Sequence, residues 1–294
     1  MTIDILLPYW GPPAYLYEAV DSVRAQTEQD WRLVVVDDCY PDPAVAQWFA
    51  ALDDPRVEYH RNETNQGITE NYRRCLAHAR ADWVVFLGCD DVMHPNYLAV
   101  VGDAVAAHPE VAVVQPGVRV IDADGRPVRP LVDRVKQEVV RPRAHGATVL
   151  RGERLAANLL TGDWLYWPSL LISRRSLEIG FREGFPMIQD LAIVMDIVFD
   201  GGALLYVPTE CFSYRRHRSS ASASGAFDGS RFVDEARYFE VAADRAAALG
   251  WRRAEAAARA RLTSRAHALT LLPGIAASRN WPAARVLARH ALGR

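Results

Sequence analysis

Three places in the sequence set carboxylates where chemistry could use them: Asp37-Asp38 in WRLVVVDDCY, Asp90-Asp91 in WVVFLGCDDVMHP, and Asp190 in FPMIQDLAIVMDIV. Each of the first two pairs follows a short apolar run. Two ionised carboxylates at the mouth of a partly buried crevice repel one another, and one is pushed toward protonation unless a cation lies between them. A hard divalent ion with oxygen ligands removes that penalty and keeps positions open for phosphate oxygens. Asp90 and Asp91 therefore suggest a metal and diphosphate site. A plainer reading competes with it, in which one acid caps the next helix and the other faces water.

The elements that would position these acids follow from hydrophobic period. Ile3 to Leu7, Leu33 to Val36, Val57 to His60 and Trp83 to Leu87 read as short buried strands. Between them Leu16, Ala19, Val20 and Val23 recur as one helix face, as do Val45, Trp48, Phe49 and Leu52, and then Tyr72, Cys75, Leu76 and Ala79. Strand and helix in alternation predict a doubly wound, largely parallel sheet. Such sheets bind ligands beyond the carboxyl ends of their strands, where PYWGPP, Asp37-Asp38 and Gly88-Cys89-Asp90-Asp91 fall. PYWGPP lacks the glycine pattern of a dinucleotide fingerprint, and no phosphate-loop lysine is present.

Bulk properties set limits. The 294 residues are half apolar and carry a formal charge of −2, so no whole-protein field argues for a nucleic-acid partner. Lys136 is the only lysine. Four scattered cysteines without C-x-x-C spacing predict neither a zinc site nor a disulfide framework, and they fit a reducing cytoplasm. MTIDILLPYW lacks the features of a signal peptide, and the apolar stretch 266–278 is too short to span a bilayer.

Four motifs in order carry a resemblance: PYWGPPAYLYEAVDSVRAQT, WRLVVVDDCYPD, NQGITENYRRCLAHARADWVVFLGCDD and YRRHRSSAS. Over about Ile3 to Ser224 the chain resembles the inverting glycosyltransferases of family 2. The resemblance implies a GT-A type, Rossmann-like α/β fold with flanking helices. It implies a transferase domain over 1–224, with a nucleotide-sugar half at 1–115 and an acceptor half at 116–224. A C-terminal helical appendage would then cover 225–294. It further implies a nucleotide-diphosphate sugar as donor, UDP-, dTDP- or GDP-linked, with Mn2+ or Mg2+ on the diphosphate. The acceptor would be a glycan, lipid-linked or small molecule. Pro8, Tyr9 and Trp10 would line the base and ribose, with Tyr9 or Trp10 offering an aromatic face. Asp38 would accept hydrogen bonds from base or ribose, and Asn65, Gly67 and Asn71 would approach the nucleotide. Asp91 and Asp90 would hold the metal, Asp91 the surer ligand, with His217 completing the shell or bonding a phosphate. Arg215 or Arg216 would neutralise the leaving group, and Asp190 would be the general base. The usual acidic pattern is interrupted, since Gly88 and Cys89 stand where the family has Asp-x.

Three further segments raise expectations. From Asp122 to Arg154 the pattern dissolves into a polar excursion carrying Arg126, Arg129, Arg134, Lys136, Arg141, Arg143, Arg151 and Arg154, read as a surface loop or as a lid or anionic-acceptor site. Trp164, Tyr166 and Trp167 form an aromatic cluster, one tryptophan in the core and the other in a cleft. The tail 232–294 has eleven arginines against five acids, with Trp251 and Trp281 interleaved. It could pack on its own domain, form a homo-oligomer contact, or lie peripherally on the inner face of a membrane. Two rivals remain: a catalytically silent nucleotide-sugar binder, and a sugar-phosphate nucleotidyltransferase, which needs a glycine-rich basic loop that PYWGPP lacks.

Overall fold

The computed structural model describes residues 1–143, 146–217 and 228–293. Strand β1 (Ile3–Tyr9), helix α1 (Pro13–Arg24), β2 (Trp31–Asp37), α2 (Ala44–Ala50), β3 (Val57–Arg61), α3 (Ile68–Ala77) and β4 (Trp83–Phe86) build a parallel half-sheet in the order β3-β2-β1-β4. Successive strand side chains point to opposite faces, and both faces are covered. Ile3, Ile5, Leu7 and Tyr9 pack with Leu16, Ala19, Val20 and Val23 of α1. Leu6, Val34, Val36, Val84 and Phe86 pack on the other side with Tyr72 and Cys75 of α3. Two-sided burial explains the near-continuous apolar runs of these strands.

Past β4 the sheet becomes mixed. Strands β5 (Val92–Met93), β6 (Val113–Ile121), β7 (Thr148–Leu150), β8 (Leu171–Ser173) and β9 (Leu204–Arg215) continue it as β4-β8-β6-β9-β5, with β7 also on β9. β8 lies antiparallel between β4 and β6, whereas β6 and β9 run parallel. β6 and β9 extend well beyond the short apolar runs at their starts. β9 reaches across the sheet end, where Ser213 pairs with Val92 and Arg215 with Ile121. That reach brings the chain around residue 215 to the acids after β4.

The helices on this half are α4 (Tyr97–Ala107), α5 (Leu131–Arg134), α6 (Gly152–Thr161), α7 (Arg174–Leu177) and α8 (Gln189–Phe199). The polar excursion is more ordered than its composition predicts. α5 runs directly into a π-helical turn at Val135–Val140, and β7 and α6 follow. Its order comes from tertiary contacts: Asp133 is buried against Arg216 and Tyr166, and Asn158 Nδ2 donates to the Val140 carbonyl at 2.9 Å.

The C-terminal helices are α9 (Ser230–Ala248), α10 (Arg252–Ala260), α11 (Leu262–Ala277) and α12 (Trp281–Leu292). Tyr238, Phe239, Ala242, Ala254 and Ala258 of α9 and α10 enter the same core as α6 and α8. α11 and α12 enclose a separate small cluster with Phe232 of α9. No helix among the described residues is long and apolar enough to cross a membrane.

Candidate functional site

The acids predicted at strand ends meet along one edge of the sheet. Asp38, just after β2, is buried. Its Oδ1 accepts from Asn62 Nδ2 and the Gln66 amide, both at 2.8 Å, and its Oδ2 accepts from the Gly67 amide at 2.9 Å. Asn62 Nδ2 also donates to Asn71 Oδ1 at 3.0 Å, and Asn71 Nδ2 donates to the Val36 carbonyl at 2.9 Å. Asp38 thus holds the 62–67 loop in place, using three of its roughly four acceptor sites. Asn65 is exposed on that loop, its Oδ1 accepting from the Gly67 amide at 3.1 Å, and open space lies over Gly67. Asn62 escapes a reading of motifs; only its position at the end of β3 would have drawn attention to it.

The structure separates the aromatic pair after β1. Tyr9 is fully buried, with its hydroxyl donating to the Gly11 carbonyl at 2.8 Å. Burial pushes that phenol up beyond its ordinary range. Trp10 is 52% exposed and meets Tyr40 edge-on at 5.4 Å. Trp10, beside the half-buried Pro8, is therefore the one of the two whose ring is open to solvent, and both rings pack on Tyr40, Tyr9 at 5.2 Å.

Beyond β4, Asp91 is 1% exposed. Its Oδ1 accepts the Arg215 amide at 2.8 Å, and its Oδ2 has no hydrogen-bond partner among the described residues. Burial, and then the neighbouring Asp90, push its carboxyl well above the usual carboxylate range. Asp90 Oδ2 lies 2.6 Å from His217 Nε2. A Cβ built on Gly88 would overlap Asp91 Oδ2 and stand 3.1 Å from Asp90 Oδ1, so the two carboxylates converge on the space over that glycine. Absence of a side chain at Gly88 is thus what lets both acids face one point. Cys89 packs between Gly11 and the Trp10 carbonyl, away from that point, and its thiol is pushed up by burial. An orphaned carboxylate oxygen beside a second carboxylate fits a hard cation. No group of three or more His, Cys, Asp or Glu side chains is preassembled as a metal shell among the described residues.

The arginines differ from expectation in what they touch. Arg215 is buried, with Nε donating to the Asp90 carbonyl at 2.7 Å, Nη2 to Glu18 at 2.6 Å, and its guanidinium 4.7 Å over the Tyr15 ring. It holds the acidic turn in place. Arg216 grips Asp133 with two hydrogen bonds of 2.6 and 2.9 Å, and Tyr166 donates to the same carboxylate at 3.0 Å. Both guanidinium groups are committed to protein partners because each approaches an acid that sequence order placed far away. Ser219, Ser220 and Ser222 of YRRHRSSAS lie outside the described residues.

Asp190 stands in the first turn of α8, where its Oδ1 accepts from the Leu191 amide at 2.8 Å. With Asp163, Leu165, Trp167 and Leu170 it lines a small open recess. Burial, and then Asp163, raise its carboxyl above the usual range. Asp163 carries no motif and is found only by this proximity; Lys136 Nζ is 4.0 Å from its Oδ2. Asp196, on the same helix, is a structural acid bonded to Arg182 and Arg245. Of the two tryptophans, Trp164 is core and donates to Asn158 Oδ1 at 2.7 Å, while Trp167 faces the recess and stacks on Phe86 at 5.4 Å. Phe86 precedes Gly88 by two residues, so one aromatic layer joins the Asp190 recess to the acidic turn.

Comparison with known proteins bears on the family and the fold. A model described as "Glycosyl transferase family 2" matches residues 4–164. Protein y4gI of Sinorhizobium fredii is 33% identical over 115 residues, 38% of this chain and 13% of that one. The O-antigen biosynthesis protein RfbC of Myxococcus xanthus is 32% identical over 219 residues, 72% of this chain and 15% of that one. The chain therefore spans a small part of either relative's length. The crystal structure of S. aureus TarS 1-349 in complex with UDP-GlcNAc superposes with a TM-score of 0.61 at 15% identity, covering 100% of this chain and 93% of that one. That likeness establishes the shared fold. By its matched sequence model and its mixed α/β architecture, the chain belongs to glycosyl transferase family 2.

Proposed function

We propose that the chain transfers a sugar from a nucleotide-diphosphate sugar to an acceptor hydroxyl with inversion at the anomeric carbon. The observation that carries this reading is the convergence of the Asp91 and Asp90 carboxylates over Gly88, with one buried oxygen unpartnered. A UDP-linked donor is the first choice, since TarS of the same fold is seen with UDP-GlcNAc. Trp10 stacks on the base, and the loop held by Asp38, with Asn65 and Gly67, closes on the ribose. Asn71 supports that loop from beneath. Asp91, with Asp90 and His217, would hold Mn2+ or Mg2+. Such an ion, when bound, offsets charge on the diphosphate.

Asp190 accepts the acceptor's proton as the acceptor oxygen forms its bond to the anomeric carbon. The bond from that carbon to the diphosphate oxygen breaks, and the nucleoside diphosphate departs with the electron pair. A carboxyl raised by burial is a stronger base than an exposed one, and a positioned base contributes about 10²- to 10⁴-fold in rate. Arg215 and Arg216 act by position, Arg215 on the acidic turn and Arg216 on the arm at 131–140.

The test is a panel of UDP-, dTDP- and GDP-sugars scored for divalent-dependent nucleoside diphosphate release, with Asp91→Ala and Asp190→Ala alongside the wild type. Release lost in both variants, with an inverted anomeric product from the wild type, is the expected result. Release indifferent to both substitutions would refute the mechanism. Donor binding without turnover across a broad acceptor set would point to a silent binder.

A further inference from the structure

We propose that the arm at 131–143 and the α11–α12 hairpin together form a face that docks on an anionic lipid surface. Residues 262–293 contain four arginines and no acid. On α11 the outward stripe is Leu262, Ala266, Leu269, Pro273 and Ala277, all exposed and all uncharged. α12 turns Trp281, Arg285, Arg289 and Leu292 outward, while Ala283, Leu287 and His290 pack inward. Arg265 Nε donates to the Ala291 carbonyl at 3.0 Å, which sets Leu262 and Leu292 at the same end of the hairpin. An apolar face with a tryptophan and arginines at its margin is the composition of a helix lying in a lipid interface.

The arm adds a second exposed apolar row. Leu131, Val135 and Val139, spaced by four residues through the α5 and π-helical turns, are exposed. The segments that carry the two rows come together at Gly162, where a Cβ would stand 2.9 Å from Val140 Cγ1, next to Val139, and 3.0 Å from Thr263 Cγ2, next to Leu262. Thr263 Oγ1 also donates to the Thr161 carbonyl at 2.6 Å. Arg129, Arg134, Arg141 and Arg143 lie on or beside the arm; of its two acids Asp133 is buried on Arg216, and the exposed Glu138 lies 3.9 Å from Arg134, which leaves an excess of arginine. The charge outside the apolar rows is thus positive, complementary to acidic headgroups rather than to a neutral surface. Since Arg216 precedes His217, the docked face would hold the candidate site close to the bilayer, within reach of a lipid-linked acceptor.

The test is co-sedimentation of the full chain with phosphatidylglycerol/phosphatidylcholine vesicles and with phosphatidylcholine alone. It needs no turnover, so it stands or falls separately from the proposed transfer. Binding to the anionic vesicles only, weakened by salt on the scale of the Debye length, is expected. Arg285→Gln with Arg289→Gln should weaken partition by about thirtyfold. Leu262→Ser with Leu269→Ser should abolish it while leaving circular dichroism and Tm unchanged. Failure to bind phosphatidylglycerol vesicles at low salt would overturn the proposal. So would a stable dimer in solution that the leucine substitutions dissociate, because the face would then belong to a second copy.

Discussion

Asp91→Asn should make the metal-free protein more stable while removing its response to divalent ions. In the wild type, Asp91 Oδ2 is buried without a partner and faces Asp90. An unsatisfied buried polar group costs about 1–3 kcal/mol. Asparagine keeps the oxygen that accepts the Arg215 amide, removes the charge, and turns the other end into a donor toward Asp90 Oδ1. The gain of about 1–3 kcal/mol corresponds to about 2–6 °C in Tm for a chain of this size. The sign also depends on pH. Burial and Asp90 raise the Asp91 carboxyl in the folded state, so the folded state binds the extra proton and wild-type stability rises as pH falls through that raised value. The advantage of Asp91→Asn is therefore full at pH above that raised value and fades as pH falls through it. Mn2+ at about a thousand times its Kd stabilises a one-site protein by about 4.1 kcal/mol, which exceeds that gain and reverses the order of the two proteins. Differential scanning calorimetry in EDTA and then in MnCl2 reads both signs. A lower Tm for Asp91→Asn in EDTA would show the carboxylate to be satisfied, and equal metal shifts would remove Asp91 from the metal site.

Gly88→Ala should abolish the Mn2+-induced rise in Tm, because its Cβ would occupy the space on which Asp91 Oδ2 and Asp90 Oδ1 converge; an undiminished rise would refute that geometry. The acid limb of the kcat/KM profile should lie above the usual carboxylate range, since Asp190 is raised by burial and Asp163. Asp163→Asn should move the limb to lower pH, and a limb that stays put would detach Asp163 from the base. Trp10→Ala should leave Tm within about 1 °C, because the side chain is exposed. It should weaken nucleotide-sugar affinity by about five- to a hundredfold, the worth of one stacked base. Tyr9→Ala, which empties a fully buried site, should instead lower stability by about 3–5 kcal/mol in denaturant titration.

The sheet and its acidic edge are legible in sequence because both are local. Apolar runs at Ile3, Leu33 and Trp83 are buried on two faces, and that demand is written residue by residue. Acids directly after such runs must then emerge at the strand ends, which is where Asp38, Asp90 and Asp91 stand. Tertiary structure decided what those acids touch. Asp38 serves the 62–67 loop because β3 brings Asn62 beside it. Arg215 and Arg216 lie about 125 and 83 residues from Asp90 and Asp133 in sequence, and only the long reach of β9 joins them. The polar excursion looked structureless because its anchor, the buried Asp133–Arg216 pair, lies outside any local window. Tyr9 and Trp10 differ in exposure because Tyr9 is the last residue of β1 and enters the core, whereas Trp10 lies just past the strand end and stands outside. Composition and period therefore determine which elements form and where their ends fall. Pairing between distant segments determines which charges are spent on the fold and which oxygen is left over for a ligand.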